Sequence, residues 1–294
     1  MEQIPITDVI SLISGRSGGR FPWSHSFLIQ GDFTVLIDTG AGLETLREIK
    51  NRFSVDFLIN SHCHPDHSAG NWIFENVPLH VPQQSFETHG RLEPLSQRLA
   101  EPGALAEIWI RFVTEEMGYQ EKIPTHSFRD EDIFDFGACS LQALHTPGHT
   151  ADHFCFFEPE EKILFSFDLD MTPFGPYYGH RESDIKVLRS SLQKIRGLKP
   201  RMIVSSHRDP IREDIESRID RFESVIDQRE EKILSMIQTG VVFEDILRQK
   251  PIYQHYPYQP ELLQYWEGNM IRKHLDALIE KEAVVKNGDV FSPL

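Results

Sequence analysis

The segment Ser61-His62-Cys63-His64-Pro65-Asp66-His67 sets three imidazoles and a carboxylate within six positions, directly after the apolar run Phe57-Leu58-Ile59. His and Asp are poor strand formers, and a segment chosen for packing alone would hold Val or Leu there. Together they are the nitrogen and oxygen donors that first-row divalent metals take. Positions 62, 64 and 66 alternate by two, so an extended chain carries them to one side and turns His67 to the other. The expectation is a metal site able to serve two adjacent ions.

The hydrophobic pattern predicts strands over 6–13, 26–30 and 33–37, a helix over 43–53, and a strand over 55–59 that leads into the histidine run. A helical pattern fills 83–119. Hairpins follow over 133–144 and 153–167, then an amphipathic helix over 183–198 and a strand over 202–204. Polar residues recur where these strands end: Asp38, His149 in the turn Thr146-Pro147-Gly148-His149-Thr150, Asp168, and His207. Folds of the α/β class gather such residues along one sheet edge. Past Pro210 the pattern changes to long helices over 211–238 and 260–281 and a small hairpin with an Asn287-Gly288 turn. The expected division is a catalytic domain, 1–210, and a helical, winged-helix-like domain, 211–294.

The formal net charge of −15 argues against a nucleic-acid partner on electrostatic grounds, because phosphate binding draws on clustered Lys and Arg. Residues 211–294 hold 11 Lys and Arg against 16 Asp and Glu. A wing that reads DNA is basic, so packing or a homodimer contact is the expected role there. No run approaches the roughly 18 apolar residues of a membrane span. The N-terminus, Met1-Glu2-Gln3-Ile4-Pro5, lacks the basic and apolar regions of a signal peptide. Three scattered cysteines, Cys63, Cys139 and Cys155, argue against a disulfide framework. The cytoplasm is the expected compartment.

The run His-x-His-x-Asp-His, the Thr-Pro-Gly-His-Thr turn with Asp152-His153 after it, and the strand-end Asp and His resemble, in that order, the metallo-β-lactamase superfamily and within it the glyoxalase II-like hydrolases. The resemblance spans roughly 6–210. It implies an α/β fold, a four-layer αββα sandwich with a mostly helical C-terminal extension, and a dinuclear site. His62, His64 and His149 would hold one ion, Asp66, His67 and His207 the other, and Asp168 would bridge them. Zinc is the first expectation for the two divalent ions, with iron and manganese compatible with the same donors. Asp38 and His153 would support the ligands without touching metal, and Asp66 would also take part in proton transfer. Tyr177 and Tyr178, in a Pro/Gly-rich loop, are candidates for the substrate pocket. Two departures from the family pattern stand beside ligands: Phe167 before the bridging aspartate, and Ser206 before His207.

The implied activity is hydrolysis of an ester, thioester or lactone-like carbonyl of a small molecule by a metal-bridging hydroxide. Three other readings compete: a phosphodiesterase or ribonuclease of the superfamily, an iron-dependent persulfide-type oxidoreductase, and a non-catalytic metal-stabilised binding module. The oxidoreductase reading is weakened by His64, which stands where the iron oxygen reductases of the superfamily usually carry glutamate.

Overall fold

Val35-Leu36-Ile37 and Leu58-Ile59 are fully buried aliphatic stretches, and the helix between them buries Leu46 and Ile49 on one face. A chain patterned this way closes as strand, helix and parallel strand. In the computed structural model, which describes residues 1–294, that unit is the centre of a seven-stranded sheet. Its strands run β1 (Gln3–Pro5), β2 (Ile10–Ile13), β3 (Ser26–Gln30), β4 (Thr34–Ile37), β5 (Phe57–Ile59), β6 (Leu79–Pro82) and β7 (His126–Phe128), in spatial order. The pairs from β1 to β4 are antiparallel and those from β4 to β7 parallel, with Ile37 opposite Ile59.

A second sheet orders β12 (Met202–Ser205), β11 (Ile163–Phe167), β10 (Phe154–Glu158), β9 (Ser140–His145) and β8 (Ile133–Asp135). Here β11 and β12 are parallel, so Phe167 and Ser205 leave the sheet side by side. The inner faces of both sheets meet in an aromatic core. Phe27 lies edge-on to Phe165 and Phe167, with ring centroids 5.3 and 5.7 Å away. Helix α1 (Leu43–Arg52) covers the first sheet, and α5 (Ile185–Gly197) the outer face of the second. Four layers result, αββα.

A four-residue helical turn, α2 (Pro65–Ser68), comes immediately after β5, and two helices, α3 (Leu92–Leu99) and α4 (Ala104–Glu115), lie between β6 and β7. Pro102 and Gly103, the latter at φ 101°, interrupt the single run that the periodicity over 83–119 suggests.

The C-terminal part consists of α6 (Ile215–Met236), α7 (Phe243–Arg248), α8 (Pro260–Glu280) and a three-stranded sheet of β13 (Val241–Val242), β14 (Val284–Asn287) and β15 (Val290–Pro293). Asn287 still pairs with Val290, so the two-residue turn is Gly288-Asp289, one position beyond Asn287-Gly288. One hydrophobic cluster crosses residue 210. It joins Leu188, Leu192 and Ile195 of α5 to Ile219, Phe222 and Ile226 of α6 and to Leu275 and Leu278 of α8. No helix is long and apolar enough to cross a membrane.

Because that cluster is shared, Ile226→Ala should cost about 2–5 kcal/mol in one cooperative transition. Chemical denaturation followed by both fluorescence and circular dichroism checks this; two separated transitions would contradict the shared core.

Candidate metal centre

Strand ends build the site. Asp38 follows β4 at φ 57°, a left-handed conformation that Asp tolerates. Gly40 then lies so close to the chain beside it that a Cβ would stand 1.6 Å from the Asp66 carbonyl oxygen. Only glycine lets the exit of β4 rest against α2. Gly148, at φ 119°, has the backbone of Leu188 2.4 Å from where its Cβ would be, which seats the His149 turn on the start of α5. Phe167, before Asp168, is itself held at φ 48°, a conformation that costs an L residue about 1–2 kcal/mol. The buried ring of Phe167 between the sheets keeps it there.

Each histidine of the cluster is tied by one ring nitrogen and leaves the other facing inward. His67 Nδ1 donates to Asp38 Oδ2 at 2.7 Å. His62 Nδ1 lies 3.0 Å from Ser61 Oγ, whose hydroxyl donates to Asp38 at 2.8 Å. Asp38 also accepts the Ser61 backbone N–H at 2.8 Å. His149 Nδ1 donates to the Tyr177 carbonyl at 3.0 Å, and His207 Nδ1 to the Gly19 carbonyl at 2.7 Å. His64 uses a fifth arrangement. Its Nε2 is 2.7 Å from Nε2 of His180, whose Nδ1 donates to the Leu99 carbonyl at 3.0 Å. With His180 protonated on Nδ1, its Nε2 accepts from His64, and His64 Nδ1 is left as an open lone pair.

The open nitrogens fall into two sets. Donor atoms of His62, His64, His149 and Asp168 lie within 4.8 Å of one another, as do those of Asp66, His67 and His207. Asp168 faces both: Oδ2 is 3.1 Å from His149 Nε2, and Oδ1 is 2.8 and 3.2 Å from Nε2 of His67 and His207. Asp66 Oδ2 is 3.7 Å from His67 Nε2 and 3.6 Å from His207 Nε2. His62 Nε2, His67 Nε2 and Asp168 Oδ1 are buried without a hydrogen-bond partner. Buried polar atoms are ordinarily paired, and a borderline cation is the partner that imidazole lone pairs and a carboxylate would accept together. The residues therefore fit a pair of divalent ions.

The electrostatics differ between the two sets. Around His62, burial and the positive charge that neighbouring histidines would carry hold the imidazole well below its ordinary value. At His67 and His207, burial is outweighed by carboxylates, Asp168 foremost. They hold His67 well above the ordinary range and His207 up to about 9. Asp170, which also lines the cavity, is pushed up to about 6 by burial.

The cavity beside the cluster has a volume of about 310 Å³. Tyr177 lines it, with Asp66, His64, His149, Asp168 and His207 at its floor. Tyr178 does not. It is fully buried in the C-terminal core, and its hydroxyl bonds His274 Nε2 at 2.8 Å, so the pocket role expected of it is corrected. Alternation places His62 and His64 in one set, as the spacing suggests, but Asp66 joins His67. Pro65 begins a helical turn there, and the extended period stops. His153 is buried behind His62 and bonded to Thr146, burial holding it down at about 3. His180 escaped the sequence reading, since a lone histidine in a Pro/Gly loop has no spacing to mark it.

Asp152, three residues after His149, anchors the turn. Arg98 Nη2 donates to it at 2.6 Å, and the same guanidinium grips Glu182 through Nε at 2.6 Å. Burial alone would raise the Asp152 carboxyl, yet Arg98 holds it well below the ordinary range.

Arg98→Met leaves Asp152 buried without its partner and should cost about 3–5 kcal/mol in denaturant unfolding. Since the folded value of Asp152 is depressed, the pair's contribution is present at neutral pH and is lost only as pH falls through that lowered value. Asp38→Ala and His180→Ala should each weaken metal binding by about 10–100-fold, measured by competition with a chromophoric chelator. Unchanged affinity in either variant would contradict the orienting role.

The description Metallo-beta-lactamase superfamily matches residues 24–207. Acyl-coenzyme A thioesterase MBLAC2 of Bos taurus is 29% identical over 177 residues, 52% of this chain and 60% of its own length. Atrochrysone carboxyl ACP thioesterase of Aspergillus chevalieri is 24% identical over 168 residues, 54% of this chain and 44% of its own. The chain thus spans between 44% and 60% of the length of these curated relatives. A metallo-beta-lactamase family protein from Thermus thermophilus superposes with a TM-score of 0.75 at 20% identity, covering 99% of this chain and 100% of that one. The fold likeness therefore takes in the C-terminal helices as well as the sandwich. The chain belongs to the metallo-beta-lactamase superfamily.

Proposed function

We propose that the protein is a metal-dependent hydrolase acting on the carbonyl of an acyl thioester. The observation that carries this reading is the arrangement of five imidazoles, each tied outward and open inward, around a carboxylate whose two oxygens face separate donor sets. His62, His64 and His149 would hold one ion and Asp66, His67 and His207 the other, with Asp168 between. This follows the glyoxalase II-like pattern. Divalent cations held there would supply an activated water near neutral pH and polarise a carbonyl oxygen.

The chain supplies the rest. Asp38 and His180 fix the rings through their outer nitrogens, so little reorganisation is needed during turnover. Asp66 faces the cavity and is placed to accept the proton of the attacking water. As the carbonyl carbon gains oxygen and the C–S bond breaks, the proton goes to the departing thiolate. Two relatives named as thioesterases support the sulfur leaving group, and the cavity's apolar walls support an acyl substrate.

A phosphodiesterase is the second reading that family membership admits. The net charge of −15 and a cavity lined by no lysine or arginine favour the thioester.

Asp168→Asn should lower kcat/KM for an acyl thioester by at least about 10²–10³-fold while the circular dichroism spectrum stays that of the parent. Chelation should abolish the same activity, and added zinc or manganese should restore it. Turnover of bis(p-nitrophenyl) phosphate faster than of any thioester would overturn the proposal.

A further inference from the structure

The cavity's far side is not built by the sandwich. Its walls come from α4, through Trp109, Phe112 and Val113, and from the C-terminal part, through Tyr253, Leu263 and Trp266. Three side chains on one face of α8 fasten that wall to the site. Trp266 Nε1 donates to the Leu99 carbonyl at 2.8 Å, Asn269 to the Gly179 carbonyl at 2.9 Å, and Lys273 to the His180 carbonyl at 2.7 Å. The spacing 266, 269, 273 is that of one helical stripe. Leu99 is also the acceptor for His180, so the wall and the support of His64 share one carbonyl.

The tyrosine segment is held as firmly. Glu267, fully buried, accepts the backbone N–H of Ile252 at 2.7 Å and of Tyr253 at 3.0 Å, and the Tyr256 hydroxyl at 2.6 Å. At the rim, Phe21 and Phe112 each stack on Tyr258, with centroids 6.0 and 6.4 Å away, and are tilted to one another at 6.1 Å. The charged side chains facing the cavity, Asp66, Asp168 and Asp170 with the cluster histidines, all stand at its floor. An anionic group reaching past the floor would find no cationic side chain, whereas an uncharged apolar one would be covered by aromatic faces.

We infer that this cavity takes an uncharged apolar acyl group of medium length, and that α4 and the C-terminal part set that selectivity. The inference deepens the thioester reading and rests on it for the chemistry at the floor. Volume bounds the size. Small-molecule sites run from about 300 to 1,000 Å³, and 310 Å³ is at the small end. A space of that size suits a medium acyl chain such as octanoyl, and a long fatty chain would extend past the aromatic rim.

The test has two arms on the metal-loaded protein. In the first, kcat/KM is measured for N-acetylcysteamine thioesters from acetyl to hexadecanoyl. It should climb by up to about fourfold per methylene to an optimum near octanoyl and then level or fall. Leu263→Ala should move the optimum to longer chains. In the second, neutral primary amides of the same chain lengths are titrated against the fluorescence of Trp109 and Trp266, which needs no turnover. Affinity should follow the same length dependence, and Trp109→Phe and Trp266→Phe should each remove part of the signal. Length-dependent amide binding with no thioester hydrolysed would support the cavity assignment and sink the thioester reading. Thioester hydrolysis with no dependence on length, or with acetyl the best substrate, would overturn the cavity assignment and leave the thioester reading standing. An optimum unmoved by Leu263→Ala would overturn the role given to the C-terminal wall.

Discussion

An imidazole has two nitrogens, and the site depends on where the outer one is tied. Once Nδ1 of His67 donates to Asp38, only Nε2 can face the cluster; once His64 gives Nε2 to His180, only Nδ1 can. The same constraint fixes His62, His149 and His207 through Ser61, Tyr177 and Gly19. A ring free to rotate or to change tautomer would offer its lone pair only part of the time. Five rings locked together make a concave set of donors before any cation arrives. Asp38 carries the largest share, since it holds His67 directly and His62 through the Ser61 hydroxyl.

That demand explains features of the fold that packing alone would not call for. Parallel pairing of β4 with β5, and of β11 with β12, delivers Asp38, the histidine run, Asp168 and His207 to one edge. Gly40 and Gly148 allow backbone segments to approach where any side chain would collide. Phe167 is held in a left-handed conformation in the position directly before Asp168. Strain of this kind persists where surrounding structure over-determines it, here through a phenylalanine clamped in the aromatic core between the sheets.

Local pattern made much of this readable. The apolar runs and the polar residues ending them marked the strands and their common edge, and the spacing of His62 and His64 marked one donor set. What escaped had no local signature. Asp66, which the family resemblance groups with His67 and His207, leaves the side that alternation gives it because Pro65 starts a helical turn, a competition that period-two reasoning cannot weigh. His180 is paired with a residue 116 positions away. Tyr178 and Tyr177 are neighbours in sequence, yet one enters the cavity while the other bonds His274 in α8. The cavity wall itself comes from helices distant in sequence, so its shape could not be read from either alone. The extent to which the C-terminal part belongs to the site, through Trp266, Asn269 and Lys273, likewise has no mark in the local pattern, because each of these side chains bonds a carbonyl far along the chain.

The most direct measurement is X-ray diffraction from protein loaded with zinc, with anomalous differences collected on either side of the metal's absorption edge. Two peaks about 3.5–4 Å apart, one against His62, His64 and His149 and the other against Asp66, His67 and His207, with Asp168 between them, are the expected result. A single peak under saturating zinc would contradict the dinuclear centre, and peaks remote from these residues would contradict the metal site altogether.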